Sequence, residues 1–170
     1  MIDANTPAEV FCLDTNVLIE PWNKYLPIHR SPEFWGIIDT LAAEGRIFCT
    51  QEVRREIERE DDELKNWIAD RPHLFREVTE EVQVNLRSIL KRFPRLVDTR
   101  RDRSMADPWV IAHAMAENAI VVTKEIGTPV NSNTVKIPDV CDDFGVEWMN
   151  DFQFHDRIGL RLAARLEDDS

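Results

Sequence analysis

The stretch Val10 to Glu20, VFCLDTNVLIE, constrains the chain more than any other: an apolar run stops at one acidic residue, and an apolar helical pattern begins directly after it. Val10, Phe11, Cys12 and Leu13 read as a short strand buried on both faces, as in a parallel sheet covered by helices on either side. Asp14 then sits at the strand's carboxyl end, with Thr15 and Asn16 placed to cap the following helix. In open α/β sheets ligands bind outside the carboxyl ends of the strands, so this acid is expected in the functional crevice. The competing reading is that Asp14 only turns the chain into the helix.

The rest of the chain repeats the alternation. A helix from Thr15 is expected to be interrupted at Pro21, and Ser31-Pro32-Glu33 starts another that Gly45 ends. Ile47 to Cys49 is a second strand, and Thr50 caps the helix TQEVRREIERE. From Asp61 to Arg92 the pattern stays helical and charged until Phe93-Pro94. Asp107-Pro108 starts a helix that is apolar nearly all round, hence buried. Ala119 to Thr123 is a further core strand, followed by a loop over Gly127 to Asn133. A short strand is expected over Val135 to Ile137, a helix from Pro138 to Gly145, and a last strand over Val146 to Met149. An amphipathic helix over 151–166 closes the chain. Strands alternating with helices indicate a doubly wound α/β fold, and 170 residues suit one domain with a sizeable core.

Charge narrows the function. With 21 basic against 32 acidic residues the net charge is −11, which argues against coating nucleic acid or an anionic membrane through bulk charge. Any nucleic-acid contact must be local. Lys91, Arg92, Arg95, Arg100, Arg101 and Arg103 face only Asp98 and Asp102 and form the one basic segment, for which a merely solvated face is the plainer alternative. No apolar stretch approaches the length of a membrane span, and the start MIDANTPAEV lacks a signal core, so no membrane partner is expected. Cys12, Cys49 and Cys141 have no close spacing and read as buried thiols, in keeping with a reducing cytoplasm. His29, His73, His113 and His155 lack the pairing of a zinc site and read as structural or solvent-facing. The five tryptophans read as core or interface aromatics rather than base-stacking platforms.

In such a fold Asp14 and Glu125 follow strand ends, Asp107 begins a buried helix and Glu56 flanks the sheet, so four distant acids can converge on one crevice. Converging carboxylates repel one another unless they share protons or hold cations. Hard oxygen ligands suit Mg²⁺ or Mn²⁺, which also bind substrate phosphates, and metal-assisted phosphodiester cleavage is the chemistry that follows. Within its helix Glu56 borders the Val53 and Ile57 stripe, whereas Glu52 and Glu58 point away; Glu60 lies nearer the stripe's centre but a full turn later, where Asp61-Asp62 suggests the helix is ending.

These residues resemble the PIN domains, the fold of many metal-dependent ribonucleases, including the VapC-like toxins of toxin–antitoxin pairs. The matching stretches are LDTNVLIE from Leu13, VRREI from Val53, ADPWVIAHA from Ala106 and VVTKE from Val121, in the family's order and over most of the chain. The segment VKIPDVCDDFGVEWMN is longer than the minimal pattern and is similar to a little-studied PIN-like branch. The resemblance implies a three-layer α/β/α domain over 1–170 with a central, mainly parallel sheet. It implies Asp14, Glu56 and Asp107 as metal ligands and Thr123 as the small hydroxyl after the last core strand. The family's fourth acid is usually Asp, and Glu125 stands in its place. The activity implied is Mg²⁺- or Mn²⁺-dependent cleavage of RNA; Arg100, Arg101 and Arg103, just before Asp107 in an otherwise acidic chain, are the expected RNA contacts. An antitoxin protein and a second copy of the chain are the protein partners it suggests. A haloacid-dehalogenase-type phosphatase would want acid and Thr or Val where Asn16 and Leu18 stand, and a response-regulator receiver would want an acid pair near the first strand, so neither fits. A PIN-like module that binds RNA or protein without catalysis is the alternative of a different class, and the number of retained acids favours an active site.

Overall fold

The computed structural model describes residues 7–60, 62–97 and 105–166. Five short strands form one parallel sheet in the order β3-β2-β1-β4-β5: β1 (Phe11–Leu13), β2 (Ile47–Thr50), β3 (Phe75–Arg76), β4 (Ile120–Val122) and β5 (Trp148–Met149). The helices are α1 (Thr15–Glu20), α2 (Pro32–Ala43), α3 (Gln51–Arg59), α4 (Glu63–Ala69), α5 (Glu80–Arg92), α6 (Asp107–Glu117), α7 (Ile137–Phe144) and α8 (Asp151–Arg157).

The strands step outward from β1 to β3 on one side, then the chain returns to place β4 and β5 on the other. Parallel strands are joined by right-handed crossovers as a rule, so crossovers in opposite directions put helices on opposite faces; the order reverses between β1 and β4. Side-chain alternation along β1 displays both layers. The Phe11 ring meets Phe154 of α8 edge-on at 5.0 Å, while the Cys12 thiol lies 3.6 Å from the Val110 carbonyl of α6. On the first face Trp22, Trp35 of α2 and Trp67 of α4 pack as one aromatic cluster. On the second, α6 lies across β1, β2 and β4, with α5 and α7 beside it. This is a three-layer α/β/α arrangement, and one continuous hydrophobic cluster fills both layers. The three cysteines are buried free thiols.

The structure corrects several expectations. The chain is not interrupted at Pro21; it widens into a π-helical turn, Pro21–Tyr25. The charged stretch before Phe93 is two helices rather than one. Pro72 cannot continue α4, a 3₁₀ turn (Pro72–Leu74) follows, and β3 then adds the sheet edge before Thr79 caps α5. A two-residue strand is too short to show period-2 alternation, which is why the pattern hid it. No strand forms over 135–137: Lys136 is the extended N-cap of α7, and Ile137 is its first residue. The last helix ends at Arg157, not at 166. Gly159 takes the left-handed conformation (φ 72°), and 161–166 are exposed, with no core left to pack against. Among the described residues no helix is long and apolar enough to cross a membrane.

Candidate active site

Asp14 follows β1 and is itself the N-cap of α1, its Oδ1 accepting the Thr15 amide at 2.8 Å. Its Oδ2 accepts the Thr123 hydroxyl at 3.0 Å, across from the end of β4. The carboxylate therefore sits where the strand order reverses, the crevice in which such sheets bind ligands. It is only 5% exposed. Burial, with Glu125 and Glu56 adding repulsion, pushes its pKa up to about 7 against the pull of its two hydrogen bonds.

Thr15, expected as a capping residue, is instead the first residue of α1, and its hydroxyl donates to Glu56 Oε2. Glu56 Oε1 accepts the amide of Ala106 at 3.3 Å. Glu56 is thus tied to the residue after Asp14 and to the residue before Asp107, which opens α6 and is buried. Its neighbours on α3 are turned elsewhere. Glu52 pairs with Arg55 and Glu58 with Arg54, and Glu60 is the exposed C-cap beyond the end of the helix. Helical period explains the division, because Val53 and Ile57 are fully buried and fix the inward face.

At the end of β4, Thr123 Oγ1 also accepts the amide of Glu125 at 3.1 Å. One Glu125 oxygen accepts the first amide of α7, Ile137, at 2.9 Å. The loop between them is pinned by Asp139, which accepts from Thr128 N, Thr128 Oγ1 and Lys136 N at 2.9 to 3.0 Å. Lys124 faces away from these acids. Its ammonium lies 2.7 Å from Asp151 and 3.0 Å from Glu20, with the Tyr25 hydroxyl at 3.4 Å. Burial works to lower the Lys124 pKa, but these bonds outweigh it and raise it above the ordinary lysine value.

Asp14, Thr123, Glu56, Asp107 and Glu125 are thus placed around the carboxyl ends of β1 and β4. Arg100, Arg101 and Arg103 lie outside the described residues. Among the described residues no three acidic, histidine or cysteine side chains are close enough to enclose one ion. The donors are nonetheless hard oxygens, the kind that a hydrated Mg²⁺ or Mn²⁺ takes, and Glu125 and Glu56 add repulsion to the burial that raises the Asp14 carboxyl. Two roles carried no signal in the sequence: the Thr15 hydroxyl on Glu56, and Asp151 as the buried partner of Lys124. His113 is buried with its Nε2 unpartnered, and burial, then Arg76, lowers its pKa to about 4, so it is a neutral core residue. A cavity of about 740 Å³ opens at the opposite, amino ends of β1 and β4, lined by Val10, Ala119, Ile120 and Val146. Size does not make it the site, because the converging acids are at the other end of the sheet and its Glu9 and Glu147 are paired with Arg157.

Among solved structures, a chain of VapBC-1 from nontypeable Haemophilus influenzae aligns with TM-score 0.51 at 13% identity, covering 84% of this chain and 98% of that one. A chain of VapBC2 from Rickettsia felis, solved bound to a DNA fragment from their promoter, aligns with TM-score 0.48 at 15% identity, covering 83% and 98%. None of the curated proteins matches. The fold is PIN-like. With a family match running from Phe11 in the first strand through residue 162, the chain belongs to the family described as Domain of unknown function (DUF4411).

Proposed function

We propose that this chain is a Mg²⁺- or Mn²⁺-dependent endoribonuclease, acting as the toxin of a toxin–antitoxin pair, with an antitoxin as its protein partner. One observation carries the reading: Asp14 at the end of β1 and Thr123 at the end of β4 are hydrogen-bonded across the point where strand order reverses, with Glu56 tied to the residues next to Asp14 and Asp107. Asp14, Glu56, Asp107 and Glu125 are the residues that would hold the metal. When bound, the metal supplies activation of water and neutralisation of the phosphate. Thr123 orients Asp14 by donating to Oδ2. Thr15 and Ala106 orient Glu56 through both of its oxygens. Glu125 keeps one oxygen on the start of α7, so the loop 126–136 and the site are mechanically linked. Arg100, Arg101 and Arg103 contribute the RNA contact that an otherwise acidic chain requires.

The test is cleavage of a labelled single-stranded RNA with Mn²⁺ or with EDTA, for wild type and Glu56→Gln. Mn²⁺-dependent cleavage that falls at least ~100-fold in the variant is the expected result. Binding of RNA without cleavage under every metal condition would instead assign a non-catalytic PIN-like module.

A further inference from the structure

Lys124 stands between two residues of the acidic site and belongs to a different set of contacts. Thr123 donates to Asp14 at 3.0 Å and accepts the Glu125 amide at 3.1 Å. The intervening Lys124 ammonium reaches Glu20 at 3.0 Å, Asp151 at 2.7 Å and the Tyr25 hydroxyl at 3.4 Å. These partners come from the elements that leave the neighbouring strands. Asp14 is the N-cap of α1 and Glu20 its last residue, so consecutive residues at the end of β4 hold both ends of one helix. Tyr25 closes the π turn that continues it, and Asp151 opens α8 just after β5. The Tyr25 hydroxyl also donates to Asp151 at 3.2 Å, which completes the ring of contacts. An ammonium has three N–H donors, and here three oxygens take them, so none is left for a phosphate. The Lys124 side chain is 20% exposed and that of Asp151 4%, so the pair is shielded from the water that makes exposed ion pairs weak.

We propose that Lys124 is a positioning residue for the acidic site: by fastening the β4 exit to Glu20 and Asp151, it fixes the turn from which Thr123 meets Asp14 and Glu125 meets the start of α7. This rests on the metal-dependent reading above and deepens it. The turn needs such a hold, because Glu125 and Asp14 repel one another when both are ionised. Asp14 is anchored between β1 and α1, whereas Glu125 lies beyond the end of β4. The grip of Lys124 on two neighbouring elements resists the outward swing that the repulsion favours.

The experiment titrates Mn²⁺ into the full chain and reads the free ion from its electron paramagnetic resonance signal, for wild type, Lys124→Met, Lys124→Met/Asp151→Asn and Arg157→Met. The sign of the change decides. Through-space charge alone would make Lys124→Met bind Mn²⁺ more tightly, since a cation has left the vicinity. Loss of positioning is expected to weaken binding instead, by roughly 10- to 100-fold. Lys124→Met strands the buried Asp151 carboxylate and can cost the fold; the double variant removes one charge of each sign, so it stays folded where the single variant does not, and is expected to lose a similar factor. Arg157→Met breaks the ion pairs with Glu9 and Glu147 at the other end of α8, and should lower the melting temperature without moving Mn²⁺ affinity. Unchanged or tighter binding in either folded Lys124 variant, or an equal loss in Arg157→Met, overturns the positioning role and leaves the metal site standing. Absence of Mn²⁺ binding by wild type would sink the metal-dependent reading and this role together.

Discussion

At the residue scale the decisive group is Asp14, whose environment opposes its charge. Its pKa stands at about 7 in the fold against an ordinary 3.8, so the folded protein holds a proton that the unfolded chain has released. In the metal-free protein the stability attributable to this group is intact below about pH 4 and is lost as pH rises to about 7. Asp14→Asn keeps an acceptor for the Thr15 amide and removes the charge. In EDTA, its stability advantage over wild type is expected to grow between pH 4 and 7 by up to ~4 kcal/mol and then level off, as read from denaturant midpoints. A constant difference across that range would mean that Asp14 is not strained by its charge. Glu56 gives a second test at this scale. Glu56→Gln is expected to remove most Mn²⁺-dependent cleavage, while Glu52→Gln, Glu58→Gln and Glu60→Gln leave it largely intact, because those three are paired on the surface or lie past the helix end. A larger loss in the Glu60 variant would move the ligand assignment.

At the element scale, the loop 126–136 leaves Ile126 and Val130 exposed, and Asp139 anchors it through three hydrogen bonds at the start of α7. Asp139→Ala is expected to cost ~2 kcal/mol and to speed amide exchange over 128–137, with slower cleavage as Glu125 loses its hold on Ile137. Amide exchange confined to its wild-type rate would show that the loop is held elsewhere. The capping chemistry of these elements was legible in the sequence. Thr50 accepts from Val53 at 3.2 Å as expected for a cap, Pro108 stands in the first turn of α6, and left-handed Gly145 closes α7. Short elements were not legible, since β3 and the early end of α8 depend on what lies beside them rather than on their own pattern.

At the scale of the whole molecule, an acidic chain with converging carboxylates should gain stability from divalent ions by ligand linkage. Millimolar Mg²⁺ or Mn²⁺ is expected to raise the melting temperature by several degrees, with a smaller response in Asp107→Asn; equal shifts in both would remove Asp107 from the site. Replacing Arg100, Arg101 and Arg103 together with Ala should weaken RNA binding and flatten its salt dependence while the melting temperature holds. A surviving salt slope would leave those arginines as a solvated face. The sequence by itself determined the alternation of strand and helix, the placing of Asp14 at a strand end and the inward lean of Glu56, because periodicity and capping are local and act within a few residues. Only the tertiary structure decided that Thr15 serves Glu56 rather than a helix cap, that Asp14 and Thr123 meet across the reversal of strand order, and that Tyr25, Lys124, Asp151 and Phe152 form one group. Those contacts join residues up to 126 positions apart. Their geometry follows from parallel strands stacking in one particular order, a long-range outcome of core packing that no local pattern encodes.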